Sequence, residues 1–387
     1  MRAQSRDPSE TPLYFDHQAA TPLDPAVFAA MAPYFEEFVG NAHSAEHVFG
    51  QRAYQAIESA RTEMALLIGS DPEDIVFTSG ATESNNLAIL GIARNEAMSR
   101  DTILVSAIEH ASVLEAARHS GLRVVSVAVD RQGFVDEEHL RAELTDRVRL
   151  VSIGWVNNEI GTTQDIAALG QVVRAAGALM HVDAAQALSA TDLRVADMQI
   201  DYLSLSSHKA YGPKGIGSLY IAPGRARLLK PLLYGGGQER GIRPGTLPTP
   251  LCVGFGAACA LLRTRGASER VRLRARRDYL WSSLRALQPE VALVGPVQQR
   301  HPGNLSIRLP VEDARDVIQL VHDRLACSSG SACHSGTELP SHVLLSTGMC
   351  VSEARQVVRL GIGRFTSDRD CDRAANLLSE AITACRG

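Results

Sequence analysis

Between residues 75 and 220 one pattern recurs: a short run of β-branched and aliphatic residues, then a longer stretch in which apolar residues return at helical spacing. The runs Ile75–Thr78, Ile103–Ser106, Val124–Val129, Leu150–Trp155, Leu179–Asp183 and Tyr202–Ser206 are too short for helices and predict strands. Nearly unbroken apolar runs suit strands covered on both faces, and their alternation with helices predicts an α/β domain with a largely parallel sheet. After Gly235-Gly236-Gly237 the pattern changes. An arginine-rich helical segment over roughly 250–287 leads to strands near Asn304–Leu309, Arg324–Ser328 and Val357–Ile362, interleaved with helices near 313–322 and 368–385. This predicts a large domain over 13–250, then a linking helix and a smaller α+β domain over 251–387, with residues 1–35 folding back onto either domain.

Polar residues gather where the predicted strands end, which is where open α/β sheets bind ligands. Thr78-Ser79-Gly80-Ala81-Thr82-Glu83-Ser84 follows one strand and opens a helix. Free backbone N–H groups and small side chains there suit a phosphate, although an ordinary capped turn has the same composition. Glu109-His110, Asn157-Asn158-Glu159 and His181-Val182-Asp183-Ala184-Ala185-Gln186 close three further strands. A lone buried Asp or His is most often structural; three such clusters at equivalent ends point to a site. The last strand runs into Ser206-Ser207-His208-Lys209-Ala210-Tyr211-Gly212-Pro213-Lys214-Gly215, where a partly desolvated lysine can form an imine with an aldehyde.

Composition sharpens that last point. Of 39 basic residues only Lys209, Lys214 and Lys230 are lysines, and arginine cannot supply a neutral amine near pH 7. A formal charge of −4 gives no global basic signature, so direct nucleic-acid binding is not expected. The polar start of the chain and the lack of a long apolar run predict a cytoplasmic protein without a membrane span. Seven cysteines without paired spacing read as reduced thiols, with no disulfide framework and no metal site.

Taken in order, Val76-Phe77-Thr78-Ser79-Gly80-Ala81-Thr82-Glu83-Ser84, Val156-Asn157-Asn158-Glu159-Ile160-Gly161, His208-Lys209, Arg243-Pro244-Gly245-Thr246-Leu247-Pro248 and Ser328-Ser329-Gly330-Ser331-Ala332-Cys333 resemble the cysteine desulfurases. These are class-V members of the aspartate-aminotransferase-like pyridoxal 5'-phosphate enzymes, and the resemblance runs from about Leu13 to Thr366. It implies a large domain with a mostly parallel seven-stranded sheet that binds the cofactor, and a smaller domain that carries a cysteine loop. It also implies roles. Lys209 would hold the cofactor as a Schiff base, Asp183 would face the pyridine nitrogen, and His110 would stack on the ring and move protons. Asn158 and Gln186 would contact the ring's hydroxyl side, with Asn158 also near the substrate. Ala81, Thr82, Ser206 and His208 would cradle the phosphate, and Thr246 would reach the phosphate of a second subunit, implying a homodimer. Arg359 would pair with the carboxylate of L-cysteine.

The implied reaction converts L-cysteine to L-alanine and leaves sulfur as a persulfide on an enzyme cysteine, for delivery to an acceptor protein. The family's nucleophile matches Cys333. Cys327 stands six residues earlier, where relatives commonly carry an aliphatic residue, and remains the alternative. The long stretch after Cys333 is similar to the branch with an extended catalytic loop. The chain reaches Gly387 soon after its last predicted helix, without the tail with which housekeeping members meet an iron–sulfur scaffold. Iron–sulfur assembly, transfer-RNA thiolation and DNA phosphorothioation all stay open as destinations. Competing expectations are a selenocysteine lyase, another pyridoxal-phosphate lyase or aminotransferase, and a cofactor-free sulfur-relay scaffold.

Overall fold

The computed structural model describes residues 11–329 and 340–386. Thirteen strands are present among them: β1 Leu13–Tyr14, β2 Ile75–Thr78, β3 Thr102–Ser106, β4 Arg123–Val127, β5 Val148–Gly154, β6 Leu179–Asp183, β7 Tyr202–Ser206, β8 Gly217–Ile221, β9 Ala292–Leu293, β10 Asn304–Arg308, β11 Leu325–Ala326, β12 Ser328–Ser329 and β13 Val357–Gly361. Seven of them form one sheet in the order β2-β8-β7-β6-β5-β3-β4. Pairings from β4 through β3, β5 and β6 to β7 are parallel, and β8 runs antiparallel to both its neighbours. The α/β class and the mostly parallel seven-stranded sheet are therefore as expected. The sequence reading overlooked β8, whose Gly-Ser-Leu-Tyr-Ile follows a glycine-rich loop and reads as its continuation.

Side chains of a strand alternate between faces, and here that alternation divides both the core and the chemistry. Val151, Ile153, Met180, Val182, Leu203 and Leu205 point to one face and pack with Ile57, Met64, Phe255 and Leu262 from the helices Val48–Ile68 and Thr249–Leu287. Ile103, Val105, Leu150, Leu179 and Tyr202 point to the other face, against Leu87, Ile89, Ile92 and Val113 from the helices Ala81–Ala93 and Ala111–Arg118. Farther along β5, β6 and β7 this second face turns polar, with Ser152, His181, Asp183, Ser204 and Ser206 all buried.

The helix Thr249–Leu287 has 39 residues, a rod of about 58 Å. Phe255, Cys259 and Leu262 bury in the first cluster, while Leu273, Leu280 and Leu284 bury in a second with Leu305, Ile307, Val358, Leu360 and Leu378. That second cluster lies under a four-stranded sheet, β12-β13-β10-β9. The expected single strand over Arg324–Ser328 is two short pieces. Leu325–Ala326 pairs in parallel with β1 and Ser328–Ser329 pairs with β13, so the chain changes partner at Cys327. The N-terminal segment touches both halves: beyond β1 it bridges Gly361 through Asp16, and its Thr21 and Asp24 amides donate to the carbonyls of His208 and Tyr211. No helix among the described residues is long and apolar enough to cross a membrane.

Candidate active site

The polar ends of β2, β3, β5, β6 and β7 surround a cavity of about 600 Å³. Ala81, Thr82, His110, Asn158, Asp183, Gln186, Ser206, His208, Lys209 and Arg359 all line it. Two expected residues stand elsewhere: Thr246 is exposed and outside the lining, and Cys327 packs against the second core. Burial pushes the Cys327 thiol up to about 12, far from the range in which it would ionise readily. Cys333 lies outside the described residues.

One end of the cavity is the start of the helix Ala81–Ala93. Gly80 precedes it with φ 153° and ψ 178°, a conformation open essentially to glycine. No side chain caps this helix, so its first amides keep their donors for a ligand, where the helix dipole favours an anion. Ser206 Oγ and His208 Nδ1 lie 3.1 Å apart on the facing side. Burial, then Lys209 and Lys214, push His208 down to about 4. Arg243 holds Glu83 at 2.8 Å, which keeps that carboxylate engaged beside the anion cradle.

Deeper in, Asp183 ends β6. Its Oδ1 accepts from the Ala185 amide at 2.9 Å and its Oδ2 from Asn85 Nδ2 at 2.7 Å. Beneath it His181 is hydrogen-bonded between Ser152 Oγ at 2.7 Å and Ser204 Oγ at 3.0 Å, and burial pushes its ring down to about 4. Lys209 follows β7 in a short turn; its Nζ donates to the carbonyls of Gln18 at 2.6 Å and Ala19 at 2.8 Å. Gln186 Nε2 donates to the same Gln18 carbonyl at 2.8 Å.

Arg359 comes from the middle of β13. Its Nη2 reaches Asp16 Oδ1 at 2.6 Å and its Nη1 the Asn158 carbonyl at 3.0 Å, while its buried Nε has no hydrogen-bond partner among the described residues. Glu109 and Glu159, noted in the sequence only as parts of clusters, are buried carboxyls. Burial pushes Glu109 up to about 8 against the pull of the Gly154 amide, and Glu159 up to about 7 against the Ser341 hydroxyl and Arg359. Asn85 and Ser112 escaped the sequence reading altogether. A polar residue on the apolar stripe of a helix, beside Leu87, Ala88 and Ile89, was the signal for Asn85.

The donor set fits pyridoxal 5'-phosphate: an uncapped helix start for the phosphate, an amine for the aldehyde, a carboxylate for the ring nitrogen and an imidazole on the wall. The fit rests on this cavity, whose lining brings all four groups together.

Comparison with known proteins follows the same line. The family model "Aminotransferase class-V" matches residues 13–374. "Cysteine desulfurase IscS" of Rickettsia africae (strain ESF-5) is 42% identical over 378 residues, covering 97% of this chain and 92% of its own. A solved structure described as a NifS-like protein is similar with a TM-score of 0.90 at 30% identity, over 97% of this chain and 100% of its own. Another, described as SspA in complex with cysteine, gives a TM-score of 0.78 at 33% identity, over 92% and 100%.

Proposed function

Because the chain belongs to the class-V aminotransferase family, and within it to the pyridoxal 5'-phosphate-dependent cysteine desulfurases, we propose that this cavity is where L-cysteine yields its sulfur. The products are L-alanine and a persulfide on an enzyme cysteine, so the substrate's sulfur passes to the thiol and its carbon takes the proton. The observation that carries this reading is the shared cavity: Lys209, Asp183, His110 and an uncapped helix start meet in one volume of about 600 Å³.

The cofactor, when bound, supplies an electron sink for the bond broken at the substrate's α-carbon. The chain's residues supply the rest. Lys209 provides the amine that carries the cofactor, and the carbonyls of Gln18 and Ala19 receive that amine whenever it is released. Asp183, fixed by two donors, faces the ring nitrogen and keeps it protonated. Ala81, Thr82, Ser206 and His208 hold the phosphate, and Asn158 and Gln186 line the hydroxyl side. His110 takes and returns protons at the wall. Arg359 orients the substrate carboxylate through a planar fork of donors.

The sulfur acceptor is Cys333. The high thiol pKa of Cys327 and its packing in the second core support that choice, because the attacking species is a thiolate. The exposed Thr246 supports a homodimer in which each chain completes its partner's phosphate site. An acceptor protein then receives the sulfur.

Sulfide and alanine release from L-cysteine under reductant, compared among wild type, Cys333→Ser and Cys327→Ser, tests this directly. Activity in wild type and Cys327→Ser with loss in Cys333→Ser is the expected result. A dead Cys327→Ser with an active Cys333→Ser would move the nucleophile to the sheet edge, and an inactive wild type would end the desulfurase reading.

A further inference from the structure

Two side chains that the proposed chemistry leaves unused meet between the helices Ala81–Ala93 and Ala111–Arg118. Asn85 Nδ2 donates to Asp183 Oδ2 at 2.7 Å and to Ser112 Oγ at 2.9 Å. Ser112 Oγ lies 2.8 Å from His110 Nδ1, and the Ser112 backbone amide donates to the same nitrogen at 3.1 Å.

The proton positions along this chain follow from what each group can do. A backbone amide only donates, so His110 Nδ1 is an acceptor and carries no proton. Ser112 Oγ already receives Asn85, and its own proton goes to Nδ1. The neutral ring therefore carries its proton on Nε2. The Asn85 amide has one sensible orientation as well, because turning it around would set its oxygen against a carboxylate oxygen.

An independent observation points the same way. Asn85 is fully buried, and its Oδ1 has no hydrogen-bond partner among the described residues. An interior amide with an unused acceptor works against folding. Packing alone would favour an apolar residue here, so what Nδ2 holds is the reason for an asparagine.

We propose that Asn85 and Ser112 are positioning residues that join Asp183 to His110 in one hydrogen-bonded chain and thereby set the Nε2-protonated tautomer of His110. The importance of that tautomer rests on the roles given to His110 and Asp183 above; the tautomer itself does not. With Nδ1 committed to the helix start, Nε2–H is the polar atom the ring brings to the cavity wall, and Asp183 keeps its place under the ring nitrogen through the same amide.

The test is long-range proton–nitrogen NMR on the full chain labelled at histidine, with and without cofactor, assigning His110 by the signals lost in His110→Gln. Wild type should show the Nε2-protonated form. Ser112→Ala should move the tautomer ratio about fivefold toward Nδ1, the weight of one hydrogen bond, and Ser112→Thr, which keeps the hydroxyl, should restore it. Asn85→Asp, whose carboxyl must share a proton with Asp183 at this distance and can only accept from Ser112, should reverse the chain and move the ratio farther in the same direction. In the loaded enzyme, Ser112→Ala should lower kcat about tenfold with KM within about twofold, and the threonine variant should recover it. A ratio unchanged in both Ser112→Ala and Asn85→Asp, or restored no better by threonine than by alanine, overturns the proposal. If the ratio moves as expected while His110→Gln turns over L-cysteine at the full rate, the hydrogen-bonded chain stands and the role assigned to His110 fails.

Discussion

The two larger sheets reach the same cavity by different routes. The seven-stranded sheet contributes Ser206, Asp183, His110, Asn158, Gln186, His208 and Lys209 from strand ends and the loops just beyond them. The four-stranded sheet contributes Arg359 from the interior of β13, a strand paired on both sides, with Ser306 and Ser328 as its neighbours in register. Loops at strand ends can gather many kinds of side chain around one point, which suits bond making. A side chain on a doubly paired strand is fixed by the register of the whole sheet, which suits recognition of a rigid, planar group.

The division predicts separate kinetic signatures, and the largest should come from Lys209→Ala. That variant should abolish turnover, and borohydride should no longer fix the cofactor to the chain; turnover near the wild-type rate would break the assignment. Asp183→Asn, which keeps the shape and removes the charge, should lower kcat by roughly two to three orders of magnitude while KM moves little. Arg359→Lys should do the reverse, raising KM for L-cysteine by about tenfold or more with kcat nearly preserved, since an ammonium lacks the fork. Steady-state kinetics of the two variants side by side would show whether the sheets divide the work in this way.

Glu109 sharpens the comparison from the side of stability. Its carboxyl is pushed from the usual 4.5 up to about 8 by burial, so between those values the folded chain holds a proton that the unfolded chain has released. Stability from this group is full below about pH 4.5 and declines as pH rises through about 8. Glu109→Gln cannot titrate, so it should match wild type at acid pH and exceed it by about 2 kcal/mol at pH 8, relaxation absorbing part of the roughly 1.4 kcal/mol per unit. Urea unfolding at several pH values measures the crossover.

The same contrast explains what was legible in the sequence. Short β-rich runs followed by Ser, His, Asp or Asn marked the strand-end clusters, and the scarcity of lysine singled out Lys209. Arg359 was one arginine among many until the family likeness selected it, because an interior strand position carries no local signature of its task. Asn85 and Ser112 were hidden for another reason: polar residues in helices ordinarily face solvent, and apart from the apolar neighbours of Asn85 nothing in the sequence shows that Asn85 is buried and Ser112 stands at the cavity wall. Cys327 was read as the end of a continuous strand, whereas the change of partner between β11 and β12 depends on where β1 and β13 lie, which local sequence does not encode.

The N-terminal strap has a meaning in time as well as in space. Asp16 meets Arg359 across 343 residues of sequence, and Lys209 finds the carbonyl of Gln18 across 191. A ribosome makes the segment around Asp16 long before its partners on β11 and β13, so this stretch must wait unpaired while the seven-stranded sheet takes shape. Lys209 emerges earlier and can meet its carbonyl partners first, but the clasp on Arg359 closes only after a further 150 residues have been made. If Arg359 pairs with the substrate carboxylate as proposed, recognition of L-cysteine is completed after the pocket around Lys209, and a nascent chain in which that pocket has formed is not yet one that can select its substrate.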